Sequence, residues 1–311
     1  MAKAAPATTA ERPATGFPPG IAYVEGDYCP MSEAKISVLD WGFLRSDATY
    51  DVVHVWQGRF FRLDKHLERF ERSVAKLRMT LPLERDGLTE VLMECVRRTG
   101  LKDAYVEMIC TRGHSPGYSR DPRDAVNNFL AFAIPFSSIA NEEQRARGLH
   151  IAVSQVPRIP PESVDPTVKN YHWLDIVAGL FEAYERGAET VVLTDLSGNL
   201  TEGAGFNLFT VTDGAVRTPD RGVLEGITRR SAMELCAELE IPVTEAPLSL
   251  EQLRGADEVF ITSTAGGIMP VTKIDGRAVG GGKPGEITAR LTALYWDKHD
   301  DPAWTTAVDY V

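Results

Sequence analysis

Read by the spacing of its apolar positions, the chain takes on element-like patterns from Ile21 onward. Ile21 to Glu25 and Lys35 to Val38 have the look of short strands. Tyr50 to Trp56 (YDVVHVW) is a longer β-rich run, which Gln57-Gly58 turns back into Arg59 to Arg62 as a hairpin. Behind Asp64 as a candidate cap, Leu67, Phe70, Val74 and Leu77 recur at helical spacing. A second helix is expected from about Gly87 to Thr99, with Leu88, Val91, Leu92, Cys95 and Val96 inward. Arg97 and Arg98 suit its last turn, and Gly100 stops it. Strands Ala104 to Arg112 and Asn128 to Phe136 follow, separated by a polar loop. Strands with helices clustered between them predict a small α+β unit over residues 21–136. Residues 137–148, polar and mostly without periodicity, read as an interdomain linker.

The pattern then changes to shorter, mixed elements, a larger second unit over residues 149–311. Leu149 to Val156 reads as a strand. A helix carrying Ile176, Val177, Leu180, Phe181 and Tyr184 on one face stops at Gly187. Val191 to Thr194 and Phe206 to Val211 are strands punctuated by turns at 195–199 and Asp213-Gly214. Gly226-Ile227-Thr228 opens a helix that packs through Ala232, Leu235, Cys236 and Leu239, and Ser249-Leu250-Glu251-Gln252 has capping-box spacing. Glu258 to Thr262 is a further strand, and a last helix from about Glu286 to Tyr295 packs through Ile287, Leu291 and Leu294.

Composition narrows the classes. The 311 residues are 43% apolar and 25% charged, ordinary values for a globular protein, and the net charge of −11 argues against nucleic acid as a partner. No apolar run approaches the roughly 20 residues a membrane-spanning helix needs. Residues 1–20, rich in Ala, Pro and Thr, read as a disordered tail without the apolar core of a signal peptide. The four cysteines form no C-x-x-C pair, so neither a metal site nor a disulfide framework is expected, and a cytoplasmic location fits.

Five features carry candidate chemistry. Lys169, between a strand and a helix and flanked by Tyr171 and Trp173, sits where apolar surroundings disfavour an ammonium, as an amine that attacks a carbonyl requires. Gly226-Ile227-Thr228 can cradle a phosphate on unpaired N–H groups at a helix start. Thr264-Ala265-Gly266-Gly267 is a second small-residue loop able to offer a hydroxyl and an amide. Arg62, closing the hairpin, can add a guanidinium fork, and Glu202, followed by glycine, can meet a cationic ring nitrogen. Each alone reads more readily as a surface charge, a cap or a turn. His66 and Arg69 read as structural partners under the hairpin, and His54 as a packed side chain.

Their order is more specific than any one of them. Arg62-x-x-x-His66-x-x-Arg69, Lys169, Leu200-Thr201-Glu202-Gly203-x-x-x-Asn207, Leu224-x-Gly226-Ile227-Thr228-Arg229 and Thr264-Ala265-Gly266-Gly267 together resemble the fold-type IV pyridoxal-phosphate enzymes, from about Tyr23 to Trp296. The resemblance implies a mixed α/β, two-domain fold, with a small α+β domain and a larger domain built on a barrel-like sheet flanked by helices. It implies that Lys169 carries pyridoxal 5'-phosphate as a Schiff base and later shuttles the substrate proton. Arg62, the N–H groups of Ile227 and Thr228, and Thr264 would hold the phosphate, while Glu202 keeps the pyridine nitrogen protonated. A homodimer whose small-domain loops complete the partner's pocket is implied as well.

Within that group the substrate-facing positions, by resemblance, are Phe43, Arg45, Tyr50, Val52, Tyr105, Glu107, Arg120, Trp173 and Ala265. Glu107 stands where branched-chain transaminases carry a carboxylate-binding arginine, and the loop from Gly113 to Arg120 lacks the Arg-x-His pair of D-amino-acid transaminases. Trp173 stands where aminodeoxychorismate lyases have arginine. Tyr105-Val106-Glu107, Ser46-Asp47-x-Thr49-Tyr50 and Lys169-Asn170-Tyr171-x-Trp173 instead resemble the R-selective amine transaminases, with Arg120 as the mobile arginine for a keto acid. Arg45 departs from the histidine expected there and leaves room for D-amino-acid activity. The expectation is amino transfer from an R-configured primary amine to a 2-oxo acid such as pyruvate, with no metal.

Overall fold

The computed structural model describes residues 16–310, so the first fifteen positions of the expected tail lie outside the described residues. Two sheets organise the rest. The first is antiparallel and seven-stranded, in the order β16-β4-β3-β5-β6-β1-β2. Its strands are β1 (Ile21–Val24), β2 (Asp27–Pro30), β3 (Ala48–Trp56), β4 (Arg59–Phe61), β5 (Ala104–His114), β6 (Val126–Pro135) and β16 (Thr305–Ala307). Helices α2 (Leu63–Lys76) and α3 (Arg85–Thr99) bury Leu67, Phe70, Val74, Leu88, Leu92 and Val96 against Val53, Val55, Val106 and Met108. These are the helical positions the periodicity gave, and Gly100 ends α3 at φ 68°.

Three details differ from the sequence reading. The partner of β1 is Asp27–Pro30, and Lys35 to Val38 is irregular: Gly26 at φ 92° makes the tighter turn, which fixes the pairing earlier. Asp64 lies inside the first turn of α2, and Arg62 occupies the cap position in a left-handed conformation. The expected linker 137–148 contains a helix, α4 (Glu142–Arg147), closed by a capping box between Asn141 and Gln144.

The second sheet has nine strands: β7 (Leu149–Val153), β8 (Thr190–Thr194), β9 (Leu200–Gly203), β10 (Phe206–Thr212), β11 (Ala215–Thr218), β12 (Val243–Glu245), β13 (Glu258–Ser263), β14 (Gly267–Ile274) and β15 (Arg277–Ala278). Because β9 pairs with both β8 and β10, the path β10-β13-β14-β7-β8-β9 closes on itself as a barrel. Strand alternation divides its side chains between separate cores. Ile151, Val192, Leu208 and Ile261 share one cluster. Their neighbours Phe209 and Phe260 face α6 (Ile227–Glu238) and α8 (Glu286–Asp297), and Val191 and Leu193 face α5 (Leu174–Glu185). Two short helices, α1 (Trp41–Arg45) and α7 (Leu250–Arg254), complete the set.

The second unit expected at 149–311 gives its last strand away: β16 pairs with β4 of the first sheet. α5 is also turned otherwise than its apolar stripe suggests. It buries Ile176, Gly179 and Ala183, and leaves Leu174, Val177, Phe181 and Tyr184 exposed.

The returning C-terminal segment brings His299 against His54 of β3, with Nε2 to Nε2 at 2.7 Å. Burial, and for His54 the neighbouring His299, hold both imidazoles neutral, His54 well below its ordinary value and His299 at about 4. The unfolded chain takes up these protons below about pH 6.5 and the folded protein does not, so stability is complete above that pH and falls toward pH 4. Urea unfolding is expected to lose roughly 1–3 kcal/mol between pH 7 and 4.5. His299→Gln should flatten that slope, and an unchanged slope would assign the loss elsewhere.

Candidate active site

A cavity of about 460 Å³ opens where the small sheet meets the barrel. Tyr50 and Val52 of β3 and Tyr105 of β5 supply one wall. Glu202 of β9, Asn207 of β10, Thr262 and Ser263 of β13, the loop Thr264-Ala265 and the start of α6 supply the other, with Lys169 and Trp173 between them.

Lys169 is set by its backbone. Its carbonyl accepts from Tyr50 N–H at 3.0 Å and from Thr49 Oγ1 at 2.7 Å, so the segment before α5 is tied to the edge of β3. The amine then lies 4.4 Å above the Tyr50 ring. Tyr50 in turn stacks on Tyr171 at 4.3 Å and 15°. The hydroxyls of Tyr171 and Tyr105 donate to the two oxygens of Glu107, at 2.7 and 2.9 Å. Burial pushes the Glu107 carboxyl up, opposed by those two bonds and by the charge of Lys169. Glu107 was expected to face substrate. It is buried behind the tyrosines and acts on the cavity through their hydroxyls.

Glu202 is buried at the end of β9. Arg158 donates to its Oε1 from Nε and Nη2, both at 3.2 Å, and Leu224 N–H donates to Oε2 at 2.8 Å. Burial raises the Glu202 carboxyl above its ordinary value, opposed by Arg158 and by the Leu224 N–H. Arg158 is itself fixed by Asp175 Oδ2 at 2.8 Å. Sequence reading missed Arg158 altogether. It sits between Pro157 and Ile159-Pro160, 44 residues from its partner, and nothing local separates it from a surface arginine.

The start of α6 is held from two sides. Asn207 Nδ2 donates to Leu224 carbonyl at 2.9 Å, and Arg69 Nη1 donates to Glu225 carbonyl at 3.1 Å. Arg69 and His66 clasp buried Asp51, with Arg69 Nε to Oδ2 at 2.7 Å and His66 Nδ1 to Oδ1 at 2.8 Å, as structural partners. No side chain caps α6 at Gly226, where a Cβ would meet Asn207 Oδ1 at 2.1 Å. The first N–H groups are therefore available to an anion. Ile227, Thr228 and Thr264 line this end of the cavity. Arg62 stands behind it, with Nη2 on Glu234 at 2.5 Å, and its buried Nε, like Thr262 Oγ1, has no hydrogen-bond partner.

These groups fit a phosphorylated pyridine aldehyde: an amine, a buried carboxylate for a ring nitrogen, and an uncapped helix end with hydroxyls and an unpaired guanidinium nitrogen. Of the other expected positions, Tyr50, Val52, Tyr105, Trp173 and Ala265 line the cavity. Phe43 and Arg45, on α1, are exposed, with Arg45 3.5 Å over the Trp41 ring. Arg120 is exposed on the loop between β5 and β6. Phe43, Arg45 and Arg120 do not line the cavity.

The fold and this site define a pyridoxal-phosphate-dependent aminotransferase, and the family model described as amino-transferase class IV matches residues 48–274, so the chain belongs to that family. A Methanocaldococcus jannaschii protein provisionally named a branched-chain-amino-acid aminotransferase is 34% identical over 88% of this chain and 95% of its own. The D-alanine aminotransferase of Staphylococcus haemolyticus is 29% identical over 86% and 94%. Among solved structures, the T.th. branched-chain aminotransferase with pyridoxamine 5'-phosphate superposes with a TM-score of 0.88, at 29% identity, over 94% of this chain and 99% of that one. Among the described residues, no helix is long and apolar enough to cross a membrane, and no cluster of His, Cys, Asp and Glu is arranged to hold a metal.

Proposed function

We propose that this aminotransferase moves an amino group from an R-configured primary amine without a carboxylate to a 2-oxo acid such as pyruvate. The observation that carries the reading is that, among the described residues lining the cavity, neither arginine is free for a substrate carboxylate. The arginines lining the cavity are Arg69, bound to Asp51, and Arg158, bound to Glu202 and Asp175, while a glutamate backs the tyrosine wall. Tyr50, Val52, Tyr105 and Trp173 then offer an apolar, aromatic surface to an amine.

In this reading Lys169 would hold the cofactor, and its amine would carry the proton that transamination moves. When bound, pyridoxal phosphate supplies an electron sink. Glu202, whose rise on burial is opposed by Arg158 and the Leu224 N–H, would face the ring nitrogen and hold its proton. Ile227, Thr228, Thr264 and Arg62 would bind the phosphate. The tyrosine wall, tied to Glu107, excludes water from the face that Lys169 serves. Purified protein with pyruvate and, separately, R- and S-1-phenylethylamine, D-alanine and L-leucine tests the proposal. Preference for the R-amine supports it, and turnover of L-leucine or D-alanine alone overturns it.

Branched-chain or D-amino-acid transamination is the second reading. It is favoured by the names of the relatives and by Arg45, an exposed arginine stacked on Trp41 and held by no carboxylate among the described residues. We further propose that the chain acts as a homodimer. Ile36, Val38, Leu39, Phe43 and Leu44 are exposed together around α1, as are Leu174, Val177 and Phe181 on α5, and a second copy would cover them. Sedimentation is expected to give a dimer, and an active monomer would remove this idea.

Arg120 is assigned to the keto acid. Exposed on the loop between β5 and β6, which also contains Gly117 at φ 64°, it can approach a carboxylate and withdraw for an apolar amine. Arg120→Ala is expected to raise the pyruvate KM about tenfold, a loss of one charge-assisted contact, while single-turnover reaction with R-1-phenylethylamine changes little. Equal losses in both half-reactions would give the arginine a structural role, and intact pyruvate use would point to Arg45.

A further inference from the structure

Arg62 adopts φ 57° and ψ 35°, a conformation that costs free energy for any residue but glycine and persists only where the surroundings impose it. The restraint comes from the far end of the chain. Arg62 N–H donates to the Trp304 carbonyl at 2.7 Å, and the guanidinium carbon lies 4.1 Å from the centroid of the Trp304 ring. Trp304 directly precedes β16, whose three residues pair with β4 just before Arg62. The ring is held in turn by Phe61 at 5.8 Å. One face of the guanidinium is thus occupied by the indole and one nitrogen by Glu234, while Nε remains buried and unpartnered.

We propose that Trp304 is a positioning residue for the cofactor phosphate: the C-terminal segment, through its indole and carbonyl, presents the Arg62 fork to the anion site at the start of α6. A guanidinium has many orientations about its side-chain torsions, and an aromatic face selects the plane while leaving its edge free for phosphate oxygens. This explains why the end of the chain leaves the barrel and joins the small sheet at that strand. It rests on the reading that Arg62 binds phosphate.

The test compares two aldehydes, pyridoxal 5'-phosphate and pyridoxal, which share the ring and the carbonyl that Lys169 takes up and differ only in the phosphate. Each is titrated into cofactor-stripped protein and followed by absorbance. Trp304→Leu is expected to weaken pyridoxal phosphate about tenfold and leave pyridoxal within about twofold, with Trp304→Phe recovering most of the loss by restoring a ring face. Trp304→Met, which keeps apolar bulk without a ring, replaces the leucine variant should that fail to fold. Equal weakening of both aldehydes would mean the tryptophan only supports the fold, and no weakening of either would also overturn the proposal. Arg62→Gln separates the two readings. If it too leaves the preference for the phosphorylated aldehyde unchanged, the assignment of Arg62 itself fails. If it abolishes that preference while Trp304→Leu does not, only the role of Trp304 is refuted.

Discussion

Lys169→Ala is expected to yield a folded, colourless protein whose transaminase activity is lower by on the order of 10⁴-fold or more, because nothing else in the cavity can hold an aldehyde covalently and then move a proton. Among the described residues Lys169 is the one lysine lining the cavity, and its half-buried chain carries the amine over Tyr50. Its backbone bonds to Thr49 and Tyr50 survive the substitution, so the segment before α5 should keep its course. Borohydride reduction of the native holoenzyme followed by peptide mapping should place the pyridoxyl group on Lys169. A label on any other lysine would sink the assignment.

Glu202→Gln is the second large effect. The carboxyl group is buried, and in the proposed mechanism its interaction with a protonated ring nitrogen would be that of opposite charges in a dry site, stronger than an amide can offer. A roughly hundredfold or greater fall in kcat is expected, with cofactor still bound through its phosphate and Lys169. The substitution also leaves Arg158 with Asp175 as its one carboxylate partner, so a modest loss of stability should accompany it. Arg158→Met supplies the complementary measurement. Glu202 then loses the charge that opposes its burial and takes up a proton more readily, and the pH profile of kcat should shift upward. A kcat for Glu202→Gln within a few-fold of the parent would exclude the carboxylate from the chemistry.

Much of the local structure was legible in the sequence because short-range physics decides it. The spacing of Leu67, Phe70 and Val74, or of Leu88, Leu92 and Val96, has one amphipathic solution, and these side chains are the ones α2 and α3 bury. The Ser249–Gln252 capping box forms as its spacing implies. Where a local signal was ambiguous, the tertiary structure chose: Lys35 to Val38 has strand-like residues but no partner edge, and the polar stretch at 142–147 is helical because Asn141 and Gln144 satisfy its first turn.

By itself, the sequence determined the family and the order of the candidate site residues, because Lys169, Glu202, Gly226-Ile227-Thr228 and Thr264 stand in a succession that resembles that family's. The tertiary structure alone decided which groups meet across long separations. It paired Arg158 with Glu202 and put Glu107 behind Tyr105 and Tyr171. It turned Val177, Phe181 and Tyr184 of the α5 stripe outward and returned Trp304 to Arg62. The reason is physical: periodicity reports which side of an element is apolar, whereas the partner of a buried charge is set by barrel closure and sheet register, which no local stretch encodes.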